Sequence, residues 1–162
     1  MVGGDVLETA LHALHVILAG VWLGGILFTT TVVSPALKEM KWLEAERVRV
    51  RSVIGRHYAR VGNANLALLL VLAVLDGLMQ ELRPVFYAEY ALIVLLFGLS
   101  AAHGAYFGRR LTLMAKSERK APGAEEAAKI AEQRRSLGKL SLRVSQTNLL
   151  VSAAVAILAA SA

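Results

Sequence analysis

The stretch that decides the fold is residues 11–35, LHALHVILAGVWLGGILFTTTVVSP, an apolar run long enough to cross a membrane as a helix. It contains two histidines and a tryptophan. In an α-helix, side chains three or four residues apart share a face. The face predicted in this way carries His12, His15, Ala19, Trp22, Ile26 and Thr29. The sequence therefore predicts a polar site within a membrane helix.

The whole chain is too apolar for an ordinary soluble domain. Hydrophobic residues make up 56% of its 162 residues, whereas soluble domains are about 45–50% apolar. Four segments are long enough to cross a hydrocarbon core of about 30 Å, namely residues 7–33, 59–78, 85–107 and 142–160. We therefore expect an all-α integral membrane four-helix bundle that forms a single domain over residues 1–162.

The basic residues predict the orientation of this bundle. Of the 18 Lys and Arg residues, seven lie within residues 38–60 and ten within residues 109–143, while Arg83 lies alone in the short turn after the second helix. Loops rich in Lys and Arg remain on the cytoplasmic side of a membrane. We therefore expect a multi-pass protein of the cell inner (cytoplasmic) membrane, with both basic loops inside and both termini outside.

The basic loops are predicted to contain helices of their own. Residues 36–56 are amphipathic, and Trp42 fits an anchor at the level of the lipid headgroups. Residues 124–137 form a charged, alanine-rich segment typical of a cytoplasmic helix. Pro35 is expected to end the first membrane helix, and Gly138 to mark a bend before the fourth.

Four ionisable side chains are predicted to meet in one outer layer. The first helix runs inward from His12 and His15, the second runs outward to Asp76, and the third starts outside and soon reaches Glu89. A charged group at the bilayer centre costs about 2.5–3.5 kcal/mol and usually faces a partner or a cavity. Imidazoles with a carboxylate suit Cu(II) or Zn, and an imidazole alone could be an axial ligand of haem. Alternatively, water or headgroups satisfy these groups.

Other polar residues are weaker candidates for a ligand-binding role. His103, near the inner end of the third helix, is a further candidate ligand. His57 is flanked by arginines and is expected to be a solvated interfacial residue, although it stays among the candidates. Four residues could support a ligand or simply pack within the bundle: Trp22, Asn65, Ser100 and Asn148.

Several functional classes are excluded by the residues. The chain has no cysteine, so thiolate metal sites and disulfides are ruled out. It has no phosphate-binding P-loop, nucleophile elbow or zinc-protease motif. The net charge of +6 is better explained by membrane topology and by contact of the basic loops with anionic lipid than by nucleic-acid binding. We expect a binding or transport protein rather than an enzyme, and any enzymatic activity would be that of a haem-dependent oxidoreductase.

The first helix resembles that of the copper-resistance D (CopD)-like membrane proteins. The resemblance rests on a histidine before an apolar stretch, Trp-x-Gly-Gly, and a later Pro-Ala-Leu, with His15, Trp22, Gly24, Gly25 and Pro35 at the corresponding positions. Elsewhere the chain is similar in outline, with Arg56 to Arg60 at the second helix, His103 in the third, and Arg143 and Asn148 at the fourth. This resemblance implies copper handling or transport through intramembrane histidines.

The outline also resembles the four-helix, haem-binding HemJ-type protoporphyrinogen oxidases. In that family a histidine of the first helix binds haem, which implies haem b as the cofactor and electron transfer or porphyrinogen oxidation as the activity. Glu89 stands roughly where that family has a lysine. A third possibility is an assembly factor without a ligand. Copper and haem b both remain open as cofactors.

The expected partners follow from the membrane setting. The lipid bilayer surrounds the bundle, and a periplasmic metal or electron donor could reach its outer layer. Gly20 and Gly24, opposite the His12 face, form a small-xxx-small motif, and Gly104 and Gly108 form another. Such motifs let membrane helices approach closely, so we expect a homodimer.

Overall fold

The protein is built from helices. The computed structural model describes residues 2–42 and 44–161, and no strand occurs in these ranges. The α-helices are α1 (Val2–Phe28), α2 (Ser34–Glu39), α3 (Glu44–Met79), α4 (Pro84–Ala101), α5 (Arg109–Lys120) and α6 (Ala124–Ser161). Two π-helical segments, Thr29–Val33 and Ala102–Gly108, connect α1 to α2 and α4 to α5.

Four helical segments are long and apolar enough to cross a membrane. They are Val6–Glu39, Arg49–Met79, Pro84–Lys120 and Ala124–Ser161. Many large apolar side chains lie on the outside of the bundle, including Ile17, Val21, Leu68, Val94 and Ile157. Lipid tails would cover such a surface, which water would not solvate favourably. Within the described residues, the structure confirms the predicted all-α architecture with four helices long and apolar enough to span a membrane.

The bundle packs around one apolar core. Helix α1 packs against α3 and α6, and α4 also packs against α3 and α6. The buried members of the core are Ala19, Trp22, Ile26, Leu66, Leu69, Ala73, Ile93, Leu96, Val155 and Ala159. Because lipid is as apolar as these side chains, close van der Waals packing holds the helices together more than exclusion of water does.

Glycines allow α1, α3 and α4 to approach closely. A Cβ atom at Gly62 of α3 would lie 3.0 Å from the Trp22 ring, and one at Gly25 of α1 would lie 3.0 Å from the Tyr58 hydroxyl. A Cβ at Gly77 would collide with the Tyr90 hydroxyl. By contrast, the space beside Gly20 and Gly24 is open. The glycines that pack the bundle are therefore on α3 and at Gly25, and the homodimer at the Gly20 face stays a prediction.

The sequence predicted that the first membrane helix ends at Pro35, but in the structure the helical segment continues past this residue. Its backbone widens into a π-helix over Thr29–Val33 and then continues through Pro35 to Glu39. A proline cannot donate a backbone hydrogen bond and crowds the preceding turn. The wider turn relieves this crowding, and the Thr29 hydroxyl donates to the Gly25 and Ile26 carbonyl oxygens at 2.9 and 3.0 Å.

The loop segments also differ in detail from the prediction. Within the amphipathic segment 36–56, α2 ends at Glu39 and α3 begins at Glu44, while Leu43 lies outside the described residues. Helix α6 runs through Gly138 without interruption, so the charged segment 124–137 and the fourth membrane segment form one helix. Helix α5 packs along α6, and the Arg134 guanidinium binds the Glu118 carboxylate at 2.8 Å.

The turn between α3 and α4 sets their antiparallel arrangement. The Leu82 amide donates to the Gly77 carbonyl at 2.8 Å, a bond that closes the last turn of α3. Glu81 and Leu82 adopt positive φ values of 62° and 44°. Pro84 then starts α4, where its missing amide proton costs nothing. This end of the bundle, called the turn end below, carries the candidate site.

Candidate functional site

His15 is the centre of a cluster of four ionisable side chains at the turn end. Its Nδ1 atom lies 3.1 Å from Asp76 Oδ2, and its Nε2 atom lies 2.8 Å from Glu89 Oε1. The imidazole of α1 therefore bridges a carboxylate of α3 and a carboxylate of α4. His12 completes the group, which we call the His–carboxylate cluster: His12, His15, Asp76 and Glu89.

Asp76 connects the two histidines. Its Oδ2 atom lies 3.0 Å from His12 Nδ1 as well as 3.1 Å from His15 Nδ1. Residues 12 and 15 are three apart on α1, so both imidazoles reach across to α3 from one face. The other oxygen of Asp76, Oδ1, accepts a hydrogen bond of 2.9 Å from Gln80 Nε2. Both carboxylate oxygens are thus engaged.

Glu89 differs from Asp76 in one respect. Its Oε1 atom bonds to His15, whereas its Oε2 atom is buried and has no hydrogen-bond partner. Such an oxygen is costly to bury if the carboxylate is charged, unless a positive charge lies nearby. A proton on this carboxyl group, or a positive charge close to His15, would offset that cost.

The cluster contacts the surroundings of the bundle through His12. The side chain of His12 is 33% exposed, whereas His15, Asp76 and Glu89 are 0% exposed. One turn deeper lie Ala19, Ala73 and Ile93, which are also buried. These three residues form an apolar layer beneath the cluster.

Three side chains could hold one metal ion. One ligand atom each from His12, His15 and Asp76 lies within 4.8 Å of the other two. In a tetrahedral shell with bonds of about 2.0–2.2 Å, neighbouring ligand atoms are about 3.3–3.6 Å apart. The Asp76 oxygen lies 3.0 and 3.1 Å from the two Nδ1 atoms, which is closer than these separations, so the carboxylate would move away from the imidazoles to admit an ion. The Nε2 atom of His15 would then still bond to Glu89, an arrangement common at metal-bound histidines.

The hydrogen bonds of His15 also determine how readily this residue could bind the iron of a haem. Both ring nitrogens of His15 face carboxylate oxygens, so an iron atom at His15 would have to displace either Asp76 or Glu89. A small ion at Nδ1 would also replace the hydrogen bond to Asp76, but the Asp76 oxygen could remain at the site as a ligand of the same ion. The arrangement therefore fits a small ion among the three side chains more closely than it fits haem ligation by His15.

A second polar group lies deeper in the bundle. The indole nitrogen of Trp22 donates to the Ser152 hydroxyl at 2.9 Å, and Ser152 donates to the Asn148 carbonyl at 2.6 Å. These bonds attach α1 to α6. The Asn148 side-chain oxygen is buried without a partner, as is the Ser100 hydroxyl. Asn65 of α3 donates to the Leu18 carbonyl at 3.1 Å. Trp22 and Asn65 therefore hold helices together.

The remaining histidines lie apart from the cluster. Glu89, Leu96 and His103 are spaced seven residues apart, which predicts that they share one face of a regular helix; Glu89 and Leu96 are buried, but His103 is exposed. It lies in the π-helical segment Ala102–Gly108, where more residues per turn rotate the following side chains, so that Phe107 becomes buried instead. His57 is exposed on α3, as expected of an interfacial residue.

Two contributors to the site were not found by sequence reasoning. Gln80 donates to Asp76, and its own oxygen accepts a bond of 2.6 Å from Arg83 Nη2. Gln80 stands one helical turn after Asp76 and therefore on the same face, which was the available signal. Ser152 was hidden in an apolar run, where the spacing of four from Asn148 was the available signal.

Comparison with known proteins gives one family. Residues 17–120 match the model of a family described as a domain of unknown function, DUF4149. This range includes Asp76 and Glu89 and begins just after His15. No curated protein and no solved structure matches the chain.

Proposed function

Because this chain belongs to the DUF4149 family, whose function is unknown, we propose its function from the site itself: it binds a divalent transition-metal ion within the membrane. The ligands are His12, His15 and Asp76, and Glu89 holds His15 in place. The observation that carries the proposal is the convergence of two imidazole nitrogens on one buried carboxylate oxygen, at 3.0 and 3.1 Å.

The ligand types select a class of ion. Imidazole nitrogen with carboxylate oxygen suits Cu²⁺ and Zn²⁺, whereas Cu⁺ prefers thiolate or thioether sulfur. The chain has no cysteine and only four methionines. Mg²⁺ and Ca²⁺ prefer shells made of oxygen alone. The proposed ion is therefore Cu²⁺ or Zn²⁺, and the resemblance of the first helix to CopD-like proteins favours copper.

Metal titration of single-histidine variants tests this function. We expect purified wild-type protein to bind one Cu²⁺ or Zn²⁺ per chain in isothermal titration calorimetry. His12→Ala should weaken binding by about 10- to 100-fold, or about 1.4–2.8 kcal/mol, because water can replace a partly exposed ligand. His57→Ala and His103→Ala remove exposed imidazoles far from the cluster and should leave the affinity unchanged.

The two exposed histidines are also the control. If His57→Ala or His103→Ala weakened binding as much as His12→Ala, the metal would be bound elsewhere. A Soret absorption band in the purified wild-type protein, lost on replacing His15, would instead favour haem. Wild-type protein that binds neither metal nor haem would favour the assembly-factor alternative.

We further propose that the turn end faces the outside of the cell inner membrane, so that both termini are outside. The proposal is supported by the position of 17 of the 18 Lys and Arg residues outside the span between Arg60 and Arg109. The cluster would then receive its ion from the periplasmic side, through His12.

Single-cysteine labelling tests the orientation, since the native chain has no cysteine. Glu81→Cys lies in the α3–α4 turn and Ser117→Cys lies on α5, and both positions are exposed. We expect a membrane-impermeant maleimide to label Glu81→Cys, but not Ser117→Cys, in intact spheroplasts. Both should react after the membrane is permeabilised. The reverse pattern in intact spheroplasts would invert the proposed orientation.

A further inference from the structure

We infer that Glu89 makes the site hold a doubly charged ion in preference to a singly charged one, and that it does so through its charge. This inference rests on the proposed metal-binding function. Glu89 is not among the three converging ligands. Its role is to position His15 and to supply a second negative charge next to the ion.

The position of Glu89 is unusual for a residue that only forms a hydrogen bond. The side chain is 0% exposed, and only Oε1 has a partner, His15 Nε2 at 2.8 Å. The buried Oε2 atom has none. A neutral glutamine could accept the same bond from His15 without burying a charge. A carboxylate is therefore more favourable than a neutral amide at this position when a positive charge lies on the other side of the His15 ring.

The charges around the ion indicate how large that positive charge should be. Asp76 and Glu89 are the two carboxylates fully buried in the described part of the cluster. His12 and His15 are neutral when they bind a metal. A divalent ion therefore balances the two carboxylates, whereas a monovalent ion leaves one negative charge buried, which is unfavourable. Arg83 bonds to Gln80, which in turn bonds to Asp76, and Arg83 is exposed, so solvent weakens its contribution.

The reduction potential of bound copper measures this preference directly. Without the Glu89 charge, the site should lose affinity for Cu²⁺ by at least about tenfold relative to Cu⁺, because the field of one buried charge acts more strongly on the doubly charged ion. A tenfold relative change corresponds to about 59 mV for a one-electron couple. We therefore expect Glu89→Gln to raise the potential of the copper-loaded protein by about this amount or more.

Two matched variants separate charge from geometry. Glu89→Asp keeps the charge but shortens the side chain, so its potential should stay close to that of the wild type. Glu81→Gln removes an exposed carboxylate at the same end of the bundle and should leave the potential unchanged. The electron paramagnetic resonance spectrum of bound Cu²⁺ should be similar in Glu89→Gln and the wild type, because the three ligands remain.

The outcomes distinguish this inference from the proposed function. An unchanged or lower potential in Glu89→Gln would overturn the inference while metal binding itself stood. A shift in Glu89→Asp as large as that in Glu89→Gln would also overturn it, since it would show that Glu89 acts by orienting His15. Failure of the wild type to bind either Cu²⁺ or Zn²⁺ would remove the proposed function itself.

Discussion

Replacing His15 by alanine is expected to abolish metal binding and to destabilise the bundle. His15 is a proposed ligand and also the only side chain that bridges Asp76 and Glu89 in the described cluster. Loss of this buried ligand, which water cannot readily replace, should cost more than the roughly 10–100-fold associated with an outer partner of a metal site. Removing one partner from a buried ion pair costs about 3–5 kcal/mol. Calorimetric titration and thermal unfolding in detergent measure the two effects.

His57→Ala provides the matched control, because it removes an exposed histidine from another part of the bundle. It should leave both binding and thermal stability close to wild type. His15→Gln should recover part of the stability, since its amide can still contact a carboxylate, but it should not recover binding. Full metal stoichiometry in His15→Ala with near-native affinity would place the site elsewhere.

Asp76→Asn should have the second-largest effect, a loss of metal affinity of more than about 100-fold. The carboxylate of Asp76 contacts His12, His15 and Gln80, and its Oδ2 atom is the proposed oxygen ligand. An asparagine has one oxygen in place of two, so at least one of these partners would face an amide NH₂ group. The neutral amide is also a poorer ligand for Cu²⁺ or Zn²⁺. Titration of the two ions into Asp76→Asn measures the loss.

Gln80→Ala distinguishes the role of Asp76 as a ligand from the effect of the hydrogen bond that holds its carboxylate in place. This variant leaves the carboxylate in place but removes the hydrogen bond to Oδ1. Because that bond is neither a ligand bond nor a contact of His15, we expect a loss of at most about 10- to 100-fold, the usual effect of removing the hydrogen-bond partner of a metal ligand and less than the loss in Asp76→Asn. Equal losses in Gln80→Ala and Asp76→Asn would contradict the assignment of Asp76 as a ligand.

Much of the fold could be predicted because a small number of strong constraints determine where a chain forms membrane helices. Length and hydropathy determine where a chain can cross the bilayer, and backbone groups must bond within each helix. Depth arguments then placed His12, His15, Asp76 and Glu89 in one layer, and in the structure these side chains are in hydrogen-bond contact. Their role as metal ligands stays a prediction.

The parts that could not be predicted depend on local departures from regular helix. Helical spacing extended the stripe of Glu89 to His103, but a π-helical segment turns that side chain outward. A similar segment carries the first helix past Pro35. Neither widening has a sequence pattern as clear as apolar periodicity. Gln80 was missed for a different reason, since its contact with Asp76 depends on how far α3 continues into the turn.

The apolar layer of Ala19, Ala73 and Ile93 separates the cluster from the deeper part of the bundle. On the proposed function, an ion that arrives past the partly exposed His12 would leave the same way for as long as this packing lasts. The cluster would then take up and release its ion on one side of the membrane. A chelator added to that compartment would empty the site, and the same chelator on the other side of the membrane would not reach it. On the proposed function, the lifetime of a bound ion would depend on opening of α1 around His12.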